Sequence, residues 1–138
     1  MKIFADSSFL IALYDKSDQY YNEALAIFKS IRNDAPQVII SDYIFDETST
    51  FLLYTHSYYG FIKSKAFDED VMEKKVCDFI FINETIFYKA REIFNKFNKD
   101  KKWSFTDCTS FAVMEDLGIR NVLSFDKNFT QRGFRVIS

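Results

Sequence analysis

Residues 37–54, QVIISDYIFDETSTFLLY, carry the reading that decides the fold. Gln37 to Ser41 is a continuous apolar run of strand length, rich in Val and Ile. Ser41 then stands where it would cap a helix beginning near Asp42. Along that helix Ile44, Thr48, Phe51 and Leu52 recur at helical spacing and define an inward face. A continuous apolar strand, rather than an alternating one, predicts a sheet covered on both faces.

The same pattern recurs outward from this stretch. KIFAD (2–6), DFIFIN (78–83), NVLSFD (121–126) and FRVIS (134–138) are further strand-length runs. Between them Tyr21, Ala24, Leu25, Phe28 and Ile31 follow a helical stripe, as do Ile86, Ala90, Ile93 and Phe97. Asn83 is placed to cap the second of these helices, and Gly118 after MEDL reads as a helix stop. Strands alternating with helices predict a three-layer α/β/α sandwich around a central, mostly parallel sheet. With no Pro-, Gly- or Ser-rich linker and no internal repeat, residues 1–138 form one expected domain. Residues 51–66 fit either a helical hairpin or a lid.

Composition narrows the function classes. The 17 phenylalanines are accounted for by aromatic core packing, and the net charge of -2 gives no global nucleic-acid signature. Cys77 and Cys108 are far apart and lack metal-ligand spacing, so reduced thiols are expected. Asp6 interrupts the apolar N-terminus, which argues against a signal peptide, and no run approaches a membrane span. The expected location is the cytoplasm. One histidine, His56, rules out a two-histidine ribonuclease mechanism and a histidine-rich zinc site, and reads as a surface residue. Gly-rich phosphate loops and G-x-S-x-G elbows are absent, leaving metal-assisted hydrolysis or phosphoryl transfer.

Four acids sit in unusual places. Ligands of parallel α/β sheets bind beyond the carboxyl ends of the strands, and Asp6 and Asp126 close two strand runs. Asp107, in SFTDCTSFAVM (104–114), falls in the first turn of an apolar helix, where free amides favour an anion. Glu47 shares the face of Ile44 and Phe51, whereas Asp46 turns to solvent. Taken singly, each is explained as a turn residue, a cap or an ion-pair partner. Taken together they aim at one edge of the sheet. At about 5 Å and an effective dielectric constant of about 20, each bare pair would cost ~3 kcal/mol. A divalent cation removes that cost, and carboxylates with water suit Mg²⁺ or Mn²⁺.

FADSSFLIALYDKSDQYYNEA, SDYIFDET, SFTDCTSFAVMEDLGI and VLSFDKNFTQRGFRVIS resemble, in order and spacing, the PIN domain family, in particular the single-domain prokaryotic members that include VapC-type toxins. The resemblance covers essentially the whole chain. It implies a Mg²⁺- or Mn²⁺-dependent ribonuclease with Asp6, Glu47, Asp107 and Asp126 as catalytic and metal-binding acids. Ser7, Ser104 and Ser124 fall where the family often has hydroxyls near the metal. Two positions depart from the common pattern: Ser8 replaces an Asn, and Asn128 replaces an acid that some members carry.

The expected reaction is endonucleolytic cleavage of single-stranded RNA, leaving a 5′-phosphate and a 3′-hydroxyl. Asp6 and Asp107 are the expected direct ligands; Glu47 and Asp126 bind metal, orient water or act as base. RNA contacts are expected from Lys101, Lys102, Lys127, Arg132 and Arg135, with Trp103 stacking on a base; the alternative is a solvated loop with Trp103 packed at the domain edge. The resemblance also implies a homodimer and, for a toxin, a small antitoxin protein; a processing nuclease needs no antitoxin. The rivals are a non-catalytic PIN-like binding module and an aspartyl-phosphate phosphotransferase using Asp6, the latter weakened because DSS lacks a second acid two residues on.

Overall fold

The computed structural model describes residues 1–56 and 58–138. Five strands form one sheet: β1 (Lys2–Ala5), β2 (Gln37–Ser41), β3 (Asp78–Ile80), β4 (Asn121–Leu123) and β5 (Arg135–Val136). Their order is β3-β2-β1-β4-β5, and every neighbouring pair is parallel. The connecting helices are α1 (Ser7–Tyr14), α2 (Tyr21–Arg32), α3 (Asp42–Thr55), α4 (Tyr59–Met72), α5 (Glu84–Phe97), α6 (Phe105–Leu117) and α7 (Asn128–Arg132).

Consecutive strand residues point to opposite faces. Ile3, Phe4 and Ala5 are all fully buried, so both faces of β1 are covered, as the continuous apolar runs require. The chain moves from β1 through β2 to β3, then crosses back to β4 and β5 on the other side of β1. Right-handed crossovers therefore put α1–α4 on one face and α5–α7 on the other. The packing agrees: α1 contacts both α2 and α3, α3 contacts α4, and α6 contacts both α5 and α7, while α3 also reaches α6.

Local signals act as expected. The Ser41 and Asn83 side chains accept from the amides of Ile44 (3.2 Å) and Ile86 (2.9 Å), capping α3 and α5. Gly118 ends α6 at φ 67°, a left-handed conformation that costs glycine little. The stripe of α2 is centred on Ala24, Ile27 and Ile31, leaving Leu25 and Phe28 half-buried. DFIFIN is strand only to Ile80: the Ile82 amide donates to Asp42 Oδ1 (2.8 Å) instead of joining the ladder, and Phe81 is exposed.

The segment after Phe51 is a hairpin of α3 against α4, with Ser57 of the connection outside the described residues. Gly60 permits the close approach, because a Cβ there would collide with the Leu53 carbonyl oxygen and lie 2.8 Å from that of Leu52. Aromatic packing absorbs most phenylalanines. Phe111 meets Trp103, Phe129 and Phe134 at 5.0, 5.1 and 5.8 Å between ring centroids. Each fully buried phenylalanine among them, Phe111 and Phe129, contributes about 1.5–3 kcal/mol of transfer free energy. No helix among the described residues is long and apolar enough to cross a membrane.

Candidate active site

The strand order reverses at β1, and the edge beyond its carboxyl end is the switch-point crevice of a parallel sheet. Asp6 stands there, one residue past the Ala5–Leu123 register pair, with its amide donating to the Leu123 carbonyl (2.9 Å). It occupies the N-cap position of α1 but makes no capping bond, so its carboxylate is free to face the crevice. Ser8 and Ser124 both donate to Asp6 Oδ2, at 2.8 and 3.0 Å. Ser8 Oγ also accepts from the Phe125 amide (3.0 Å), and Ser124 Oγ from the Asp126 amide (2.9 Å). Two hydroxyls thus tie Asp6 to the loop that carries Asp126.

Asp107 reaches the same edge from α6 by a capping box. Ser104 Oγ accepts from the Asp107 amide (3.0 Å), and Asp107 Oδ2 accepts from the Ser104 amide (3.1 Å). Asn128 then bridges two acids: its Nδ2 donates to Asp107 Oδ2 (2.9 Å) and to Asp126 Oδ2 (3.3 Å), and its amide donates to Asp126 Oδ1 (3.0 Å). Glu47, on the second turn of α3, accepts from Ser7 Oγ. Every one of the four acids therefore has a neutral donor. Among the described residues none of them forms an ion pair.

Burial without a counter-charge disfavours ionisation. Asp6 is raised to about 7, chiefly by burial, with the charges of Asp107 and Glu47 adding to it against the hydrogen bonds from Ser8 and Ser124. Burial likewise raises Glu47, with the Asp107, Asp126 and Asp46 charges acting in the same sense. Asp107 is raised by burial and by Asp126, against the bonds from Asn128 and Ser104. These mutual effects place the acids within electrostatic reach of one another. As they stand, no three His, Cys, Asp or Glu side chains among the described residues are grouped tightly enough to hold an ion. By chemistry the set is nonetheless hard oxygen donors with surplus negative charge, the donor type that fits Mg²⁺ or Mn²⁺.

Several sequence expectations need correction. Asp126 does not close a strand; β4 stops at Leu123, and Asp126 lies in the turn before α7. Phe51 is not inward but 55% exposed, whereas Ile44, Thr48 and Leu52 are buried. Trp103 offers no face for base stacking: it is 3% exposed, packed on Phe111, with its Nε1 donating to Gln131 (3.0 Å). Arg132 is engaged by Glu115 at 2.9 Å and lies over the Phe97 ring at 4.9 Å, so it is not a free phosphate contact. Arg135 begins β5 level with Asn121, at the strand end opposite the acids.

Ser104 serves as a helix cap, Ser7 and Ser124 hold carboxylates, and Lys101, Lys102 and Lys127 are exposed. Sequence reading passed over Ser8 and Asn128 as mere departures. The signal was present: each follows a crevice acid by two residues, the spacing at which a polar side chain bonds back to it.

The all-parallel sheet in the order β3-β2-β1-β4-β5, with acids beyond the carboxyl end of β1, is matched by a known class. The family model for the PIN domain matches residues 3–135, and the chain belongs to that family. Among its relatives is a VapC ribonuclease of Archaeoglobus fulgidus, 25% identical over 131 residues, covering 94% of this chain and 80% of the relative. Another, the 23S rRNA-specific endonuclease VapC20 of Mycobacterium tuberculosis, is 29% identical over 132 residues, covering 96% of this chain and 95% of the relative. The crystal structure of that sarcin–ricin loop cleaving toxin superposes with a TM-score of 0.82 at 28% identity, covering 96% of this chain and 95% of that one.

Proposed function

We propose that the protein is a divalent-metal-dependent endoribonuclease acting on single-stranded RNA, the toxin of a toxin–antitoxin pair. The observation that carries this reading is the convergence of Asp6, Glu47, Asp107 and Asp126 on one edge, hydrogen-bonded only to neutral donors. The ribonuclease relatives support the reaction class.

Asp6 and Asp107 are the proposed direct ligands of Mg²⁺ or Mn²⁺, with Glu47 and Asp126 completing the set. A divalent cation supplies neutralisation of phosphate charge and lowers the pKa of water. The chain's own groups do the rest. Ser8 and Ser124 fix one Asp6 oxygen and leave Oδ1 open. The capping box fixes Asp107 against the backbone of its own helix. Ser7 holds one oxygen of Glu47, leaving the other to orient water or accept its proton. Lys127, exposed beside Asp126, is the proposed phosphate contact. A small antitoxin protein and a second copy of the chain are the proposed partners.

The test is cleavage of labelled single-stranded RNA with Mn²⁺ or with EDTA. Cleavage needs metal and falls on the order of 10²-fold or more in Asp6→Asn and in Asp107→Asn. Persistence in both variants sinks the proposal. The sarcin–ricin loop of 23S rRNA, which VapC20 cleaves, is the first structured substrate to try. One observation favours a non-catalytic binding module, namely that no three acids among the described residues are grouped around an ion position. That reading predicts RNA binding without cleavage, and no stabilisation by Mn²⁺.

A further inference from the structure

Two clefts meet at Phe51, beside the acids. The larger, of about 710 Å³, has Ser7, Glu47 and Asp126 on its polar side and Tyr20, Phe51 and Phe125 on its aromatic side. The smaller, of about 370 Å³, is lined by Asp46, Glu47, Thr50, Phe51, Tyr54 and Thr106. Glu47 and Phe51 belong to both. They are four residues apart on α3, so the ring stands one turn from the carboxylate on a ridge dividing the two spaces.

Phe51 and Tyr54 are among the exposed aromatic residues of the chain, as are Phe61, Phe81 and Phe87, but they alone of these line the clefts beside the acids. Phe51 is 55% exposed and Tyr54 80%, whereas Phe4, Phe9, Phe67, Phe111 and Phe129 are fully buried. The wall of the larger cleft is built of stacked rings. Tyr20 stacks flat on Phe125, with centroids 4.5 Å apart and planes 9° apart. Phe125 stacks in turn on the buried Phe9 at 5.9 Å. A preformed aromatic face costs little ordering on binding. Lys127, at the rim of the same cleft, forms no ion pair among the described residues.

We propose that the two clefts are nucleobase subsites, holding the successive unpaired bases on either side of the scissile phosphate, with Phe51 as the wedge between them. The inference rests on the ribonuclease reading for the position of the phosphate. Its chemistry is that of single-strand recognition: splayed bases stack on aromatic side chains while charged groups meet the backbone. Lys127 supplies the backbone contact, and Tyr20 stacks on the base in the larger cleft. Tyr54 serves the smaller one. A base-paired RNA cannot splay two neighbouring bases across a wedge, so the device selects unpaired substrate.

The test is a double-mutant cycle read as affinity, independent of cleavage. Asp6→Asn protein serves as the background, in Mg²⁺, with fluorescence anisotropy on single-stranded hexanucleotides in which one base at a time is replaced by an abasic sugar. Adding Phe51→Ala weakens binding of the intact strand about tenfold. The loss falls below about twofold when either of two adjacent bases is missing. Tyr20→Ala couples to one of those positions and Tyr54→Ala to the other. Equal weakening across the whole series, no weakening at all, or no measurable binding by the background protein overturns the proposal. So does sedimentation showing that Phe51→Ala dissociates a dimer while affinity falls uniformly, which assigns the ridge to a second copy of the chain. Metal-dependent cleavage is scored separately, so a failed nuclease with an intact coupling pattern remains distinguishable from the reverse.

Discussion

Replacing Asp6 by Asn is expected to stabilise the metal-free protein at alkaline pH. Burial pushes the Asp6 carboxyl up to about 7, well above the usual carboxylate range near 4. At 1.36 kcal/mol per unit, ionising it in place costs roughly 4 kcal/mol. Because the folded pKa is raised, the native state retains a proton that the unfolded chain has released. Stability is then highest below about pH 4 as far as this group is concerned, falls by up to about 1.4 kcal/mol per pH unit as pH rises, and levels off above about 7.

Asn cannot ionise, so the variant loses this component of the slope. It can keep both existing bonds, since Ser8 and Ser124 donate to the same oxygen. Its amide nitrogen takes the open Oδ1 position of this nearly buried residue and costs about 1–3 kcal/mol if unpartnered. The net gain at pH 8 is therefore about 1–3 kcal/mol. Urea unfolding in EDTA at pH 5, 6.5 and 8 measures both proteins. Wild-type stability that rises over this range, or a variant less stable at pH 8 with an unchanged slope, refutes the reasoning. With Mn²⁺ at a hundredfold over its dissociation constant, the wild type gains about 2.7 kcal/mol and the variant less.

Asn128→Asp places a fifth acid between Asp107 and Asp126; the metal-free protein loses about 1–3 kcal/mol, and Mn²⁺ titrated by calorimetry binds more tightly. Ser104→Ala removes half of the capping box, costs about 1 kcal/mol in urea unfolding, and lowers RNA cleavage because Asp107 loses its fixed orientation. Lys63→Met breaks the 2.9 Å pair with the buried Asp15 that ties the end of α1 to α4, and is expected to cost about 2 kcal/mol. Asp15 is held below the usual carboxylate range: its burial is outweighed by bonds from Ser17 and Lys63. The effect of Lys63→Met is therefore full at neutral pH and shrinks as pH falls through the acid limb, which thermal melts at pH 7 and 3.5 check.

The elements legible in advance are those in which local chemistry and tertiary packing agree. KIFA and VII are continuous apolar runs, and the buried centre of the sheet wants such runs. Ser41, Asn83, Ser104 and Gly118 act within their own helix turns. Phe51 was misread for a geometric reason. At about 100° per residue, Thr48 and Leu52 fall about 40° and 80° to one side of Ile44, while Glu47 and Phe51 fall about 60° and 20° to its other side, and only the packed sheet shows which branch is inside. At Trp103 the sequence admits either base stacking or packing at the domain edge, because two lysines precede it, and the structure takes the second. Asn98 turns that loop inward by accepting from the Trp103 amide (2.6 Å) and donating to its carbonyl (2.8 Å), a clamp with no periodic signature.

The acids were legible for the opposite reason: each contradicts its surroundings. A carboxylate at the end of a fully buried strand, or in the first turn of a helix as apolar as α6, has no place in a core built for stability alone. The chain carries 18 lysines and arginines and pairs none of them, among the described residues, with Asp6, Glu47, Asp107 or Asp126. One lysine in the crevice would relieve the repulsion permanently. Using only serine hydroxyls and the Asn128 amide orients the carboxylates while leaving their charge uncompensated. That unrelieved charge destabilises the metal-free fold and is the same quantity that favours a dication in the crevice, so the stability of the Asp6→Asn protein and its loss of Mn²⁺ response must move together.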